Sequence, residues 1–338
     1  SATALFYASN WQFAHVLRAL AAMIFDNNTC MVWARPGPYD GRHPSTAAAP
    51  PSMQDAQFQY VQGQGRPGFA TLIPQFEAWS AAACAAAPDS TLDTRYGEAA
   101  RETFDFFPAD GGTARATLVY FHAGYWQSRD KSTFRFIAPA FTRAGLHVAL
   151  VNYPLCPHVS LTHLLDAARR AVAGVHNHVA ARGQPGLPLV AAGHSAGGHI
   201  AVELGLTDWA HASAGNTPPA RGVDGVVALS GVYDLAPLVG TTLNTALGLD
   251  AASARRHSPL WRVGLVAPPA LFGAGGAETP AFLAQNQAMA DAWQAAGHPS
   301  VVHTVEDADH FTLLEHLVQA GNPLHNAVLA LVDALPGV

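Results

Sequence analysis

Residues 187–199 read Leu-Pro-Leu-Val-Ala-Ala-Gly-His-Ser-Ala-Gly-Gly-His, and no other stretch constrains the fold as strongly. An apolar run with strand character enters Gly193-His194-Ser195-Ala196-Gly197, and a helical pattern carrying Ile200, Val202 and Leu204 leaves it. A strand that turns sharply into a helix while holding a serine hydroxyl clear of the backbone is the G-x-S-x-G nucleophile elbow. The flanking glycines matter because a Cβ would clash in so tight a turn. The five-residue pattern is weak by itself in a chain with 30 glycines, so its setting between strand and helix carries the reading.

Strand and helix signals alternate after residue 100, the pattern of a parallel sheet with crossover helices. Strands are predicted at 116–122, 146–153, 187–192, 224–230, 269–273 and 300–305. Helices are predicted at about 131–143, 161–181, 196–206, 280–296 and 313–333. The strands are nearly continuous apolar runs, as expected where helices cover both faces of the sheet. Residues 232–262 fit the alternation poorly and are expected to form a cap-like insertion over the active-site end. No internal repeat is evident, which argues against a solenoid or propeller.

With 49% hydrophobic and 12% charged residues, the chain can bury a large core. Its formal net charge is −6, and no basic run exceeds Arg169-Arg170 or Arg255-Arg256. Neither nucleic acid nor a membrane surface is an expected partner. None of the 17 histidines falls in H-E-x-x-H or a Cys/His zinc spacing, so no metal is expected. Cys30, Cys84 and Cys156 lack any C-x-x-C and read as free thiols of a reducing, cytoplasmic compartment. Residues 14–25 are apolar but interrupted by Arg18, too short to span a bilayer and without a basic lead-in for a signal peptide. Residues 44–52 read as a linker. Residues 1–52 are therefore expected to be an extension, with the functional domain at 53–338.

A serine hydroxyl needs a base, and the base needs an orienting acid. Where a nucleophile elbow is used, the order along the chain is serine, acid, histidine. His310 follows the last strand directly, whereas His303 lies within that strand and His316 within the next helix. An imidazole suits proton transfer in both directions near neutral pH. Glu278 is the acid expected after the 269–273 strand, just before Thr279-Pro280 opens a helix. Asp234 is the reserve, and Asp307 and Asp309 stand too near His310 along the chain to orient its ring. Acyl transfer also needs N–H groups aimed at the developing oxyanion. Ala196 would supply one and His122-Ala123-Gly124-Tyr125-Trp126 the others, through the amides of Gly124 and Tyr125. Tyr125 and Trp126 are expected to present an aromatic wall to substrate, or else to pack in the core. His122 is expected beside them, as a strut of this loop rather than a second base.

These residues together resemble the arylformamidase (kynurenine formamidase) branch of the α/β-hydrolase superfamily. The resemblance rests on residues 122–128, Asn152-Tyr153, residues 193–199, Asp208-Trp209, Ser230-Gly231-Val232-Tyr233-Asp234-Leu235, His257-Ser258-Pro259, Glu278-Thr279-Pro280-Ala281-Phe282 and Asp309-His310-Phe311. It covers most of residues 100–338 and implies an α/β-hydrolase fold, a mostly parallel central sheet with helices on both faces. It implies a serine hydrolase that removes the formyl group of N-formyl-kynurenine, with related members acting as esterases. Carried over by position, Ser195 is the nucleophile, His310 the base and Glu278 the acid. Two departures stand out: Ala123 replaces the first glycine of His-Gly-Gly, and Glu278 stands where some members have aspartate. Both leave hydrolase chemistry intact and weaken the claim to the family's name substrate.

The expected function is thus cleavage of a small acyl or formyl group from an aryl amide or ester, without cofactor, on a small aromatic substrate. A carboxylesterase for short-chain or aryl esters is the alternative reading. A non-catalytic binding protein of the same fold is the third and weakest. A homodimer is left open.

Overall fold

The computed structural model describes residues 53–64, 68–211 and 222–338. The expectation of an extension over residues 1–52, Cys30 included, lies outside them. Eight strands form one sheet: β1 (Thr91–Arg95), β2 (Thr103–Phe107), β3 (Ala116–Phe121), β4 (Leu146–Val151), β5 (Leu189–His194), β6 (Gly225–Leu229), β7 (Ala270–Gly275) and β8 (Ser300–Val305). Their order is β1-β2-β4-β3-β5-β6-β7-β8. The pairs β1–β2 and β2–β4 are antiparallel and the rest of the sheet is parallel. Every predicted strand is present. β1 and β2 were not predicted.

Helices α1 (Met53–Tyr60), α2 (Phe69–Ala85), α3 (Ala138–Thr142), α4 (Leu161–Ala181), α5 (Ala196–Gly205), α6 (Asn244–Leu247), α7 (Ala251–Arg256), α8 (Pro280–Ala295), α9 (Leu313–Val318) and α10 (Pro323–Asp333) surround the sheet. Side chains alternate across it. Val119 and Phe121 of β3 join the core beneath α4, α5 and α8, while Leu118 and Tyr120 join the core beneath α3, α9 and α10. In α4 the buried residues Leu161, Leu164, Leu165, Ala168, Val172, Val175 and Val179 recur at helical spacing, and the Ser160 hydroxyl accepts from the His163 amide at its start.

Three predicted helices differ in detail. Residues 131–143 begin as a 3-10 turn (Lys131–Ile137) capped by Asp130, and only Ala138–Thr142 is α-helical. The predicted 313–333 helix is two helices. Gly321 takes a positive φ, Asn322 caps α10 by accepting from Leu324 N, and Pro323 has no N–H to continue α9. Thr279 begins α8 without capping it through its side chain. Its hydroxyl instead donates to the Gln59 carbonyl, 2.8 Å away, and accepts from Gln64. Residues 232–262 form short helical turns, α6 and α7 among them.

The chain passes from β3 to β4 on one side and returns to β5 on the other, so β3 and β5 are neighbours whose following loops diverge. A crevice forms at such a switch point, outside the carboxyl ends of the strands. Close backbone approach is built in there. A Cβ on Gly197, in the first turn of α5, would collide with the Phe121 carbonyl at the end of β3. Neither backbone can yield without separating α5 from the sheet. Gly197→Ala is therefore expected to destabilise the fold by about 3 kcal/mol or more. Chemical denaturation tests it, and an unchanged midpoint would refute the close contact.

Candidate active site

Ser195 sits between β5 and α5 with φ 57° and ψ −119°, a conformation that a residue with a Cβ keeps only where its surroundings enforce it. The enforcement is visible. The Ser195 amide donates to Leu229 O of β6 (2.8 Å), and its carbonyl accepts from His199 N (3.1 Å). Its side chain shares a cavity of about 70 Å³ with His310, Gly124 and Tyr125, walled by Ile73, Phe134 and Phe311. Ser128 and Arg129 line the same cavity.

His310 lies after β8, and Glu278 lies in the turn after β7, so adjacent strands deliver both. His310 Nδ1 is 2.7 Å from Glu278 Oε2. The other carboxylate oxygen accepts from Gly275 N (2.8 Å) and from the Ser230 hydroxyl (2.5 Å). Both side chains are almost fully removed from solvent. Such a carboxylate fixes which imidazole nitrogen bears the proton and leaves Nε2 as the face of the ring that can act as a base. Phe282 and His194 pack on the His310 ring with centroids 4.6 Å away. Burial, then the charge that His310 can carry, holds the His194 pKa well below its ordinary value, so that ring stays neutral.

The reserve acid does not reach this site. Asp234 accepts from Ala236 N in its own loop and from Ser258 Oγ beyond α7. Asp309 is occupied in bonds with Phe311 N, Thr312 N and the Thr312 hydroxyl.

The loop after β3 carries three successive positive φ values, 135° at Gly124, 54° at Tyr125 and 61° at Trp126. Gly124 is obligatory, because a Cβ there would meet the Ser128 carbonyl. Tyr125 lines the cavity, and its hydroxyl donates to Tyr60 O of α1 (2.7 Å). Burial raises the pKa of this phenol to about 12. Ala196, also expected to contribute an amide, is buried as the first residue of α5. Two side chains expected at the substrate are elsewhere. Trp126 is fully buried, because the left-handed backbone at Tyr125 and Trp126 turns its indole inward, where it donates to His199. His122 is also buried, stacked on Tyr153 (4.4 Å between centroids) with Nδ1 donating to Ala123 O (2.7 Å). It is a strut, and burial takes its pKa down to about 4.

Several supporting residues were not singled out from the sequence. Arg101 donates to Arg129 O and Tyr153 O, at 2.8 and 2.9 Å, and pairs with Asp130, tying the end of the loop to the sheet edge. Burial would raise the Asp130 carboxyl, but donors from Ser132 and Asn152 and the charge of Arg101 outweigh it and bring the pKa to about 2. Ser230, at the end of β6, was legible only as part of the quoted motif, not as a partner of Glu278.

A buried serine at a strained strand-to-helix turn, a histidine–carboxylate pair, and a glycine loop facing one cavity on a mostly parallel sheet are the arrangement of an α/β hydrolase. Residues 118–314 match the alpha/beta hydrolase fold family, and the chain belongs to it. Among its relatives, kynurenine formamidase of Danio rerio is 28% identical over 250 residues, 71% of this chain and 81% of that protein. Kynurenine formamidase of Drosophila melanogaster is 28% identical over 230 residues, 65% and 74% of the two chains. A crystal structure of a candidate thioesterase from Silicibacter sp. TM1040 superposes with a TM-score of 0.69 at 29% identity, covering 81% of this chain and 98% of that one. An esterase of Thermogutta terrifontis shares the fold at 22% identity and a TM-score of 0.57, covering 73% and 93%.

Proposed function

We propose that this α/β hydrolase is a serine hydrolase that cleaves a formyl or other small acyl group from an aryl amide, in the manner of an arylformamidase. The observation that carries the reading is the pairing of His310 with Glu278 beside Ser195 on a cavity walled by Ile73, Phe134 and Phe311. His310 takes the proton of Ser195 as the hydroxyl attacks the acyl carbonyl. The tetrahedral oxyanion is held by the amides of Ala196, Gly124 and Tyr125. His310, oriented by Glu278, then gives the proton to the leaving aryl amine, which departs. Water attacks the acyl-enzyme with His310 again as base, releasing the acid and restoring Ser195. Residues 232–262 would brace the loop, since Gln127 of the loop donates to Leu243 O (2.9 Å). The free thiols Cys84 and Cys156 support a cytoplasmic setting; among the described residues no helix is long and apolar enough to cross a membrane.

Short-chain carboxylesterase activity on the same site is the second reading. The cavity walls of Ile73, Phe134 and Phe311 receive a small ester as readily as a formamide. Initial rates on N-formyl-kynurenine beside 4-nitrophenyl acetate and butyrate separate the two. A kcat/KM of about 10⁴ M⁻¹s⁻¹ or above on the formamide supports the arylformamidase reading. Turnover of the esters alone makes the protein an esterase.

A further inference from the structure

Resting on that proposed function, we infer that His199 is a positioning residue for the oxyanion loop, holding it to the nucleophile helix through the indole N–H of Trp126. The loop needs holding. Three successive residues with positive φ, two of them bearing side chains, are strained and persist only where neighbours over-determine them. Trp126 is the last of the three, adjacent to Tyr125.

The His199 contacts define one arrangement of protons. Its Nε2 lies 2.8 Å from the His257 carbonyl, which can only accept, so Nε2 bears the hydrogen. Nδ1 is then an acceptor, and it faces the Trp126 indole nitrogen at 3.3 Å. The rings meet edge-on, at 89° with centroids 5.2 Å apart. Burial lowers the pKa of His199 to about 4, so the lone pair is present at neutral pH. Glu203 Oε1 is 3.7 Å from Nε2, beyond hydrogen-bond reach, and pairs with Arg262 instead.

Position gives this contact its meaning. His199 lies one turn beyond Ser195 in α5, and its amide donates to the Ser195 carbonyl. The element that starts at Ala196 and the loop that carries Gly124 and Tyr125 are thus fastened together by one side-chain bond. If the amides of both act on one oxyanion, this bond joins the loop's other restraints in fixing their spacing. A lone pair lost at His199 Nδ1 would let the loop drift without unmaking the cavity.

The test uses Trp126→Phe, His199→Leu, the double variant, and His199→Asn, whose amide oxygen can stand in for Nδ1. Trp126→Phe and His199→Leu should each lower kcat about tenfold while KM stays within about twofold. The double variant should be no slower than the worse single one, and His199→Asn should recover several-fold over His199→Leu. Unchanged kcat in Trp126→Phe, additive losses, or a loss carried by KM would overturn the inference. Should His199→Leu fail to fold, Trp126→Phe and His199→Asn carry the test, since both keep a polar or aromatic filling. Ser195 labelling by a fluorophosphonate separates the two readings. No labelling of the unaltered protein overturns both, whereas full-rate labelling of every variant overturns only the role of His199.

Discussion

Ser195→Ala is expected to lower turnover by on the order of 10⁴–10⁶ while leaving stability and substrate affinity close to those of the parent. The size follows from the division of labour in a triad. Without the hydroxyl no acyl-enzyme forms, and the histidine and its carboxylate are left with no proton to move, so removing one member costs nearly as much as removing all. What survives is binding and whatever the oxyanion donors give to direct attack by water. The alanine is tolerated because the strained backbone at Ser195 is held by main-chain bonds to Leu229 and His199, not by the side chain. Steady-state rates on the formamide and the two esters, with a thermal melt as control, decide the matter. A variant retaining even a tenth of parental activity would remove Ser195 from the mechanism.

The second large effect is acid sensitivity. His122 and His199 are fully buried, and burial depresses both to about pKa 4, whereas an unfolded-chain histidine titrates near 6.5. As pH falls, the unfolded chain therefore takes up protons before the folded one does. Stability is complete above about pH 6.5, declines between there and about pH 4, and gains no further loss from these two groups below it. Each contributes roughly 1.4 kcal/mol per pH unit across that window, so together they remove several kcal/mol from a total that is ordinarily about 5–15 kcal/mol. Asp130, held near 2, extends the decline from about pH 4 downward. Urea midpoints at pH 7.5 and pH 5 make the comparison. Equal values would mean that these histidines are not buried as neutral rings.

The six parallel-region strands and the elbow were legible because each is a run of apolar residues with turn residues at its end. The two strands at the antiparallel edge were not, for reasons their side chains explain. β1 (Thr91–Arg95) is mostly exposed and polar. β2 (Thr103–Phe107) is wholly buried but carries Asp105 in its middle, a residue that reads as a strand breaker. Its partners, Lys131 at 2.8 Å and Arg135 at 2.7 Å, arrive from the turn after β3, and no local pattern reveals them. At the site, the chain order of serine, acid and histidine brought Glu278 and His310 to attention. Trp126 was ambiguous because an aromatic beside a glycine loop can turn either way, and only the left-handed φ values settle the direction. Thr279 had the composition of a cap, but the distant backbone carbonyl of Gln59 competed for its hydroxyl.

The triad candidates all stand in the turns that follow sheet strands, whereas Ile73, which closes one wall of the cavity, belongs to helix α2 outside the sheet. If Ser195, Glu278 and His310 carry the proposed chemistry, part of the choice of acyl group is carried by a separate piece of the architecture. Drift at Ile73 can enlarge or shrink what the cavity admits while the turns that hold Ser195, Glu278 and His310 stay untouched. A lineage built this way can change its diet of substrates by small steps without passing through an inactive ancestor.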